Sequence, residues 1–153
     1  MSQVDPYNED TYKVIVVRST FAEAKLPETE ILKDVAAAGY DEDATFAIKL
    51  ALEEAMTNAV RHGNRSEADK SITVRWAVTP DIVVICVRDE GVGFEPEEIP
   101  DPTSPERLSL PSGRGIMLMK AYMNEVAYRD HGREVRMAKF NAKRAKNSKK
   151  KTP

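Results

Sequence analysis

Three short stretches carry residue types that could act together on one phosphorylated ligand. In the first, Glu54-Ala55-Met56-Thr57-Asn58, a carboxylate and an amide stand one helical turn apart. At about 100° per residue, Ile48, Leu52, Ala55, Met56 and Ala59 share an apolar stripe, while Glu54, Asn58 and Arg61 fall together on another face. An amide oxygen can ligate a hard cation such as Mg²⁺, and a carboxylate can accept a proton. The second stretch, Arg88-Asp89-Glu90-Gly91-Val92-Gly93-Phe94, follows an apolar run. An acid at a strand end before Gly-x-Gly lets backbone approach a flat ligand while the carboxylate accepts a donor from it. The third, Ser112-Gly113-Arg114-Gly115-Ile116, opens into a helix whose first free N–H groups favour phosphate oxygens. No Gly-Lys-Ser/Thr follows, so it is not a Walker A loop. It follows a proline-rich loop rather than a strand, so it is not a Rossmann fingerprint.

The elements that must position these stretches read as strand, helix, helix, two strands, loop, helix, two strands. Lys13 to Arg18 is short and β-branched, a strand. Pro27 is expected to open a helix that runs through Ile31 and Val35 and stops at Gly39. Asp41 then caps a longer helix, Glu42 to about His62, closed by Gly63. Ile72, Val74 and Trp76 alternate with Thr73, Arg75 and Ala77, which predicts a strand with one buried face and one wetter face. Ile82 to Val87 is apolar throughout and reads as a central strand covered on both faces, reached by a turn at Thr79-Pro80-Asp81. Five of the nine prolines fall between Glu95 and Ser112, a long loop of the kind that is more often functional than idle. Helix resumes at about Arg114 and runs to Asn124. Glu125 to Arg129 and Glu134 to Phe140 then form a closing hairpin across Asp130-His131-Gly132.

Composition narrows the field. The chain has 153 residues, with 41% hydrophobic and 31% charged, one domain's worth of ordinary globular core. Mean hydropathy is −0.49, and no stretch approaches the roughly 18 apolar residues of a membrane-spanning helix. The polar start, Met1 to Asp10, is not expected to act as a secretory signal. Cys86 is the only cysteine, so a disulfide framework and a cysteine zinc site are excluded and a cytoplasmic setting is expected. The net charge of −2 hides an asymmetry. Residues 139–153 hold seven Lys or Arg and no acid, leaving 16 bases against 25 acids before them, a net of −9. Past Phe140 no aromatic residue stands among the terminal lysines to stack on bases, so direct nucleic-acid binding is not expected.

Singly, each motif also occurs on ordinary solvated helices and turns; their order and spacing are far more specific. EEAMTNAVRHG, VRDEGVGF and SGRGIMLMKAYMNEV resemble the N, G1 and G2 boxes of the GHKL ATPase and kinase superfamily. Within it the chain is most similar to the anti-sigma factor serine kinases of the RsbW and SpoIIAB type, over about residues 12–140. The resemblance implies a Bergerat-type α/β (α+β) two-layer sandwich, a mixed, mostly antiparallel sheet with helices on one face. Residues 1–11 would be a polar N-terminal segment, 12–140 the ATP-binding kinase domain and 141–153 a basic, disordered tail. It implies ATP and Mg²⁺ as cofactors, with Asn58 as the Mg²⁺ ligand and Glu54 as the base for an attacking hydroxyl. Asp89 would accept the adenine amino group, with Gly91 and Gly93 leaving room for ring and ribose. Arg61, Phe94, Arg107, Gly113, Arg114, Gly115 and Ile116 would complete the ATP site, under a lid from Glu95 to Ser112. The implied partners are a small STAS-type antagonist phosphorylated on Ser or Thr, a sigma factor and a second copy in a homodimer. The alternative is an ATP-gated binding module with little or no phosphotransfer. A histidine kinase domain fits less well, since His62 and His131 are the only histidines. The final strand reads Gly132-Arg133-Glu134, where relatives often place a Thr that helps bind adenine through water; that hydroxyl is missing here. Asn124 stands where relatives often have Asp.

Overall fold

The computed structural model describes residues 3–65, 67–92 and 113–142. Its sheet has five strands: β1 (Lys13–Arg18), β2 (Ser71–Val78), β3 (Ile82–Arg88), β4 (Glu125–Arg129) and β5 (Glu134–Phe140). They lie side by side as β1-β2-β3-β5-β4, and every pairing is antiparallel. Register follows the alternation in the sequence: Val17 stands opposite Ile72, Val74 opposite Val87, and Ile85 opposite Met137. Those residues face the helices α1 (Phe21–Ala37), α2 (Glu42–Asn58) and α3 (Gly113–Tyr122), which supply Ile31, Val35, Ile48, Leu52 and Met119 to a single core. The expected stripe on α2 is the one that is buried: Ile48, Leu52, Ala55, Met56 and Ala59 all pack there. Among the described residues no helix is long and apolar enough to cross a membrane.

Helix α1 begins six residues before the expected start at Pro27. The Thr20 hydroxyl accepts the Glu23 N–H at 3.2 Å, and Glu23 reaches back to accept the Arg18 N–H at 3.2 Å. This reciprocal cap outweighs the proline, whose ring nitrogen cannot donate to the carbonyl one turn earlier. Pro27 sits buried inside the helix instead. The stop at Gly39 holds, with φ at 87° in the left-handed region. Asp41 caps α2 as expected, its carboxylate accepting the Ala44 N–H at 2.8 Å.

β3 is the middle strand, and Ile82 to Val87 are each at most 4% exposed. Helices cover one face. Residues near the N-terminus cover the other: Val4 and Tyr12 pack on Ala77, Ile82, Val84, Cys86 and Ala138. A carboxylate fastens this strap. Glu9 receives Arg129 Nη1 at 2.8 Å and Arg129 Nη2 at 3.0 Å, and Arg75 Nη2 at 2.9 Å. Arg75 and Arg129 also pair with the buried Glu134. Hydrogen bonding from Arg129 and the charges of both arginines outweigh desolvation and hold the Glu9 carboxyl down at about 2. Most side chains of residues 3–11 stay exposed, as expected of a polar segment, and the strap holds to the sheet through Val4 and Glu9. Cys86 is fully buried, and burial pushes its thiol up to about 11.

Candidate functional site

The long helix does not simply stop at Gly63. Its α-helical hydrogen bonding ends at Asn58, and residues Ala59–Gly63 continue as one π-helical turn. Such turns rotate the side chains that follow them and are frequent at functional sites. This one delivers Gly63 against the end of β3. A Cβ on Gly63 would lie 2.1 Å from Asp89 Oδ2, and a Cβ on Gly91 would lie 1.9 Å from the Gly63 carbonyl oxygen. Gly91 is therefore required by the close approach of the Gly63 backbone and Gly63 by the Asp89 side chain, and the first service of Gly91 is to the protein itself. Gly63→Ala is expected to cost about 1–2 kcal/mol of stability by overpacking, read as a lowered urea midpoint. An unchanged midpoint would show that the three groups are not in contact.

Asp89 is held at this junction. The Gly91 N–H donates to its Oδ1 at 2.8 Å. Burial pushes the carboxyl up to about 6, against the lowering influence of that N–H and of the Arg133, Arg88 and Lys70 charges. A half-desolvated carboxylate with a raised pKa is a strong acceptor for a ligand donor.

Asn58 is partly buried on the same helix, five residues before Gly63. Its Nδ2 is buried and finds no hydrogen-bond partner among the described residues. Leaving such a donor unsatisfied costs about 1–3 kcal/mol, a cost that a ligand would relieve. Turned over, the same amide presents its oxygen, a suitable ligand for Mg²⁺. Among the described residues no cluster of three or more His, Cys, Asp or Glu could hold a metal alone. A cation at Asn58 would draw its remaining ligands from phosphate and water, the usual arrangement for Mg²⁺.

Glu54, one turn before Asn58, lies within electrostatic reach of Tyr128 on β4. Burial raises the Tyr128 phenol above its usual range and the Glu54 charge raises it further. Glu53, its neighbour, is exposed and turns toward α1, where burial and then the Glu53 charge raise the Glu28 carboxyl. Arg61 has a partner of its own: its guanidinium carbon lies 5.4 Å from the centre of the Phe21 ring, over the start of α1. Gly113, Arg114, Gly115 and Ile116 form the first turn of α3, which packs on α2. Gly93, Phe94, Arg107 and the expected lid lie outside the described residues.

Two residues with no motif to announce them belong to the site. Asn64 is completely buried; its Oδ1 accepts the Glu90 N–H at 2.8 Å and its Nδ2 donates to the Ser71 carbonyl at 3.0 Å. Arg133, from the β4–β5 turn, donates from Nε to the Gly91 carbonyl at 2.9 Å. The only hint of Asn64 in the sequence is its place beside a glycine just past a helix.

Residues 23–139 match the family model described as a histidine kinase-like ATPase domain. The serine-protein kinase RsbW of Bacillus subtilis is 32% identical over 110 residues, which cover 67% of this chain and 68% of that protein. The protein of the same name from Bacillus licheniformis is 36% identical over 110 residues, with the same coverage. In a crystal structure of the RsbU and RsbW domains of a Mycobacterium tuberculosis protein, the fold superimposes with a TM-score of 0.57 at 17% identity. That match covers 85% of this chain and 31% of the larger one, and it concerns the fold alone.

Proposed function

The chain belongs to the histidine kinase-like ATPase family, among serine-protein kinases of the RsbW type, and from that premise we propose how its own residues act. In this reading it binds ATP with Mg²⁺ and transfers the γ-phosphoryl group to a Ser or Thr of a small STAS-type antagonist. It sequesters a sigma factor or similar regulator when that antagonist is not available. The observation that carries the reading is the Asp89 carboxylate, desolvated and fixed where two glycines bring the end of α2 against the end of β3.

Asp89 accepts the adenine amino group. Asn58, its buried amide otherwise unpaired, meets the phosphate end of the nucleotide. The N–H groups of the first turn of α3 add donors for phosphate oxygens. Glu54 orients the substrate hydroxyl and takes its proton as the new P–O bond forms and the bond from the γ-phosphorus to the β–γ bridging oxygen breaks, releasing ADP. Mg²⁺, when bound, neutralises phosphate oxygens during the transfer. Gly93, Phe94, Arg107, Arg114 and Ile116 are proposed to line the same pocket, and Arg61 to stand at its margin. A homodimer is proposed on β1, an edge strand on which Val14 and Val16 remain exposed.

The direct test is transfer of labelled γ-phosphate from ATP to a STAS-type protein co-purified from the source cell, with light scattering of the same sample for subunit number. Absence of transfer overturns the kinase reading. Asn58→Ala is expected to weaken the Mg²⁺-dependent part of ATP binding about tenfold. Calorimetry with and without Mg²⁺ reads this, and equal losses in both conditions would remove Asn58 as the ligand.

A further inference from the structure

Three consecutive residues, Asp89, Glu90 and Gly91, have every backbone N–H engaged, and each bond comes from a different direction. The Asp89 N–H donates to the Arg133 carbonyl at 2.9 Å, the Glu90 N–H to Asn64 Oδ1 at 2.8 Å, and the Gly91 N–H to Asp89 Oδ1 at 2.8 Å. The Gly91 carbonyl then receives Arg133 Nε at 2.9 Å. Arg133 thus holds the loop at both ends, with its backbone at Asp89 and its guanidinium at Gly91. Asn64 holds the middle from the opposite element, and its own amide is pinned to the Ser71 carbonyl.

Arg133 is itself delivered by a special turn. Asp130, His131 and Gly132 have φ of 51°, 55° and 80°, all left-handed. The Gly132 and Arg133 N–H groups close the turn onto Arg129 and Asp130 carbonyls at 3.1 Å each. Arg88 and Asp130 form an ion pair that ties the turn to the end of β3. Consecutive left-handed residues are the geometry that hairpin turns favour, because it matches the twist of the strands they join.

We propose that Arg133, supported by Asn64, is a positioning residue that fixes the Asp89 carboxylate for base recognition and so sets the preference for adenine over guanine. The inference rests on the reading of Asp89 as the base acceptor. Adenine presents an amino donor at C6, whereas guanine presents a carbonyl there, so a fixed carboxylate meets a donor in one case and a second acceptor in the other. A carboxylate free to swing would avoid the second encounter and lose discrimination. The cations that face Asp89 are Arg133 from the hairpin turn, Arg88 from β3 and Lys70 from the segment before β2. Removing the Arg133 charge therefore moves the Asp89 titration upward as well as loosening the loop.

The experiment measures the dissociation constants of ATP and GTP from pH 5 to 8 for the full chain, Arg133→Gln, Arg133→Lys and Asp89→Asn, with melting temperatures alongside. Arg133→Gln is expected to weaken ATP about three- to tenfold, to change GTP about twofold or less, and to raise the midpoint pH of ATP binding. Arg133→Lys keeps the charge and is expected to restore the midpoint while leaving the ATP-to-GTP ratio reduced, because an ammonium cannot reproduce the guanidinium's fixed geometry. A merely structural role would lower melting temperature without moving the ratio or the midpoint. If Asp89→Asn loses ATP while Arg133→Gln keeps both ratio and midpoint, the positioning role is overturned and the acceptor reading stands. If Asp89→Asn binds ATP as well as the unaltered chain, the acceptor reading fails and takes the inference with it. Should Arg133→Gln melt too low to assay, Arg133→Lys decides alone, and an unchanged ATP-to-GTP ratio overturns the proposal.

Discussion

Glu54→Gln is expected to keep ATP binding and lose most phosphotransfer, by about 10²–10⁴-fold, the usual scale for removing a general base. Gln matches Glu in size and helix propensity, so the helix should not change. The buried stripe of α2 is formed by Ile48, Leu52, Ala55 and Met56 and does not include position 54. The neighbouring acid supplies the control. Glu53 turns toward Glu28 on α1, away from Tyr128, so Glu53→Gln should transfer at the unaltered rate. Single-turnover transfer of γ-phosphate to the antagonist reads all three proteins. Equal rates for Glu54→Gln and the unaltered chain would take the base out of the mechanism.

Asp89→Asn should act in opposite directions on binding and on stability. An amide can turn its NH₂ toward the adenine donor, and the lost hydrogen bond should cost about 1–3 kcal/mol, roughly ten- to a hundredfold in affinity. The free protein, in contrast, should become more stable at neutral pH. The Asp89 carboxyl rises from 3.8 to about 6, mainly through burial. A group raised in the folded state contributes stability that is fully present below its unfolded value and is lost as pH climbs through the folded value. Above about pH 6 the nucleotide-free fold therefore carries a buried charge worth about 1–3 kcal/mol, which Asn removes. ATP affinity of the unaltered chain should fall as pH drops through the same region, since the protonated acid no longer accepts. Thermal melts and ATP titrations from pH 5 to 8 test both halves. A melting temperature that falls on Asp89→Asn at pH 7.5 would contradict the desolvation account.

The parts of this architecture that repeat along the chain are legible in the sequence. The period of α2 located its buried face, the alternation of β2 the face it buries, and the unbroken apolar run of β3 its central place. Local chemistry was legible where one device acted alone, as at Asp41 and Gly39. It failed where two competed: Pro27 is a strong start signal, but the reciprocal cap of Thr20 and Glu23 starts the helix first. The site divided along the same line. Glu54, Asn58 and Asp89 belong to motifs whose order can be read. Asn64 and Arg133 act through partners 26 and 42 positions away, and nothing local marks a residue for a bond at that range. The π-helical turn was hidden because one additional residue in a helix leaves the hydrophobic pattern before it unchanged. The strap over the outer face was hidden because its fastening is a carboxylate, and an acid near a terminus reads as solvated.

The central strand also has a practical side. Cys86 is the only cysteine in the chain, fully buried, with its thiol pushed up to about 11 and Arg129 Nη2 3.4 Å from its sulfur. At pH 7.5 only about one molecule in a few thousand would carry the thiolate, and that one inside the sheet. Maleimides and disulfide reagents should pass the native protein by. A single cysteine introduced on any exposed position becomes the sole reactive handle, so dyes or spin labels can be attached without first removing the natural thiol from the core.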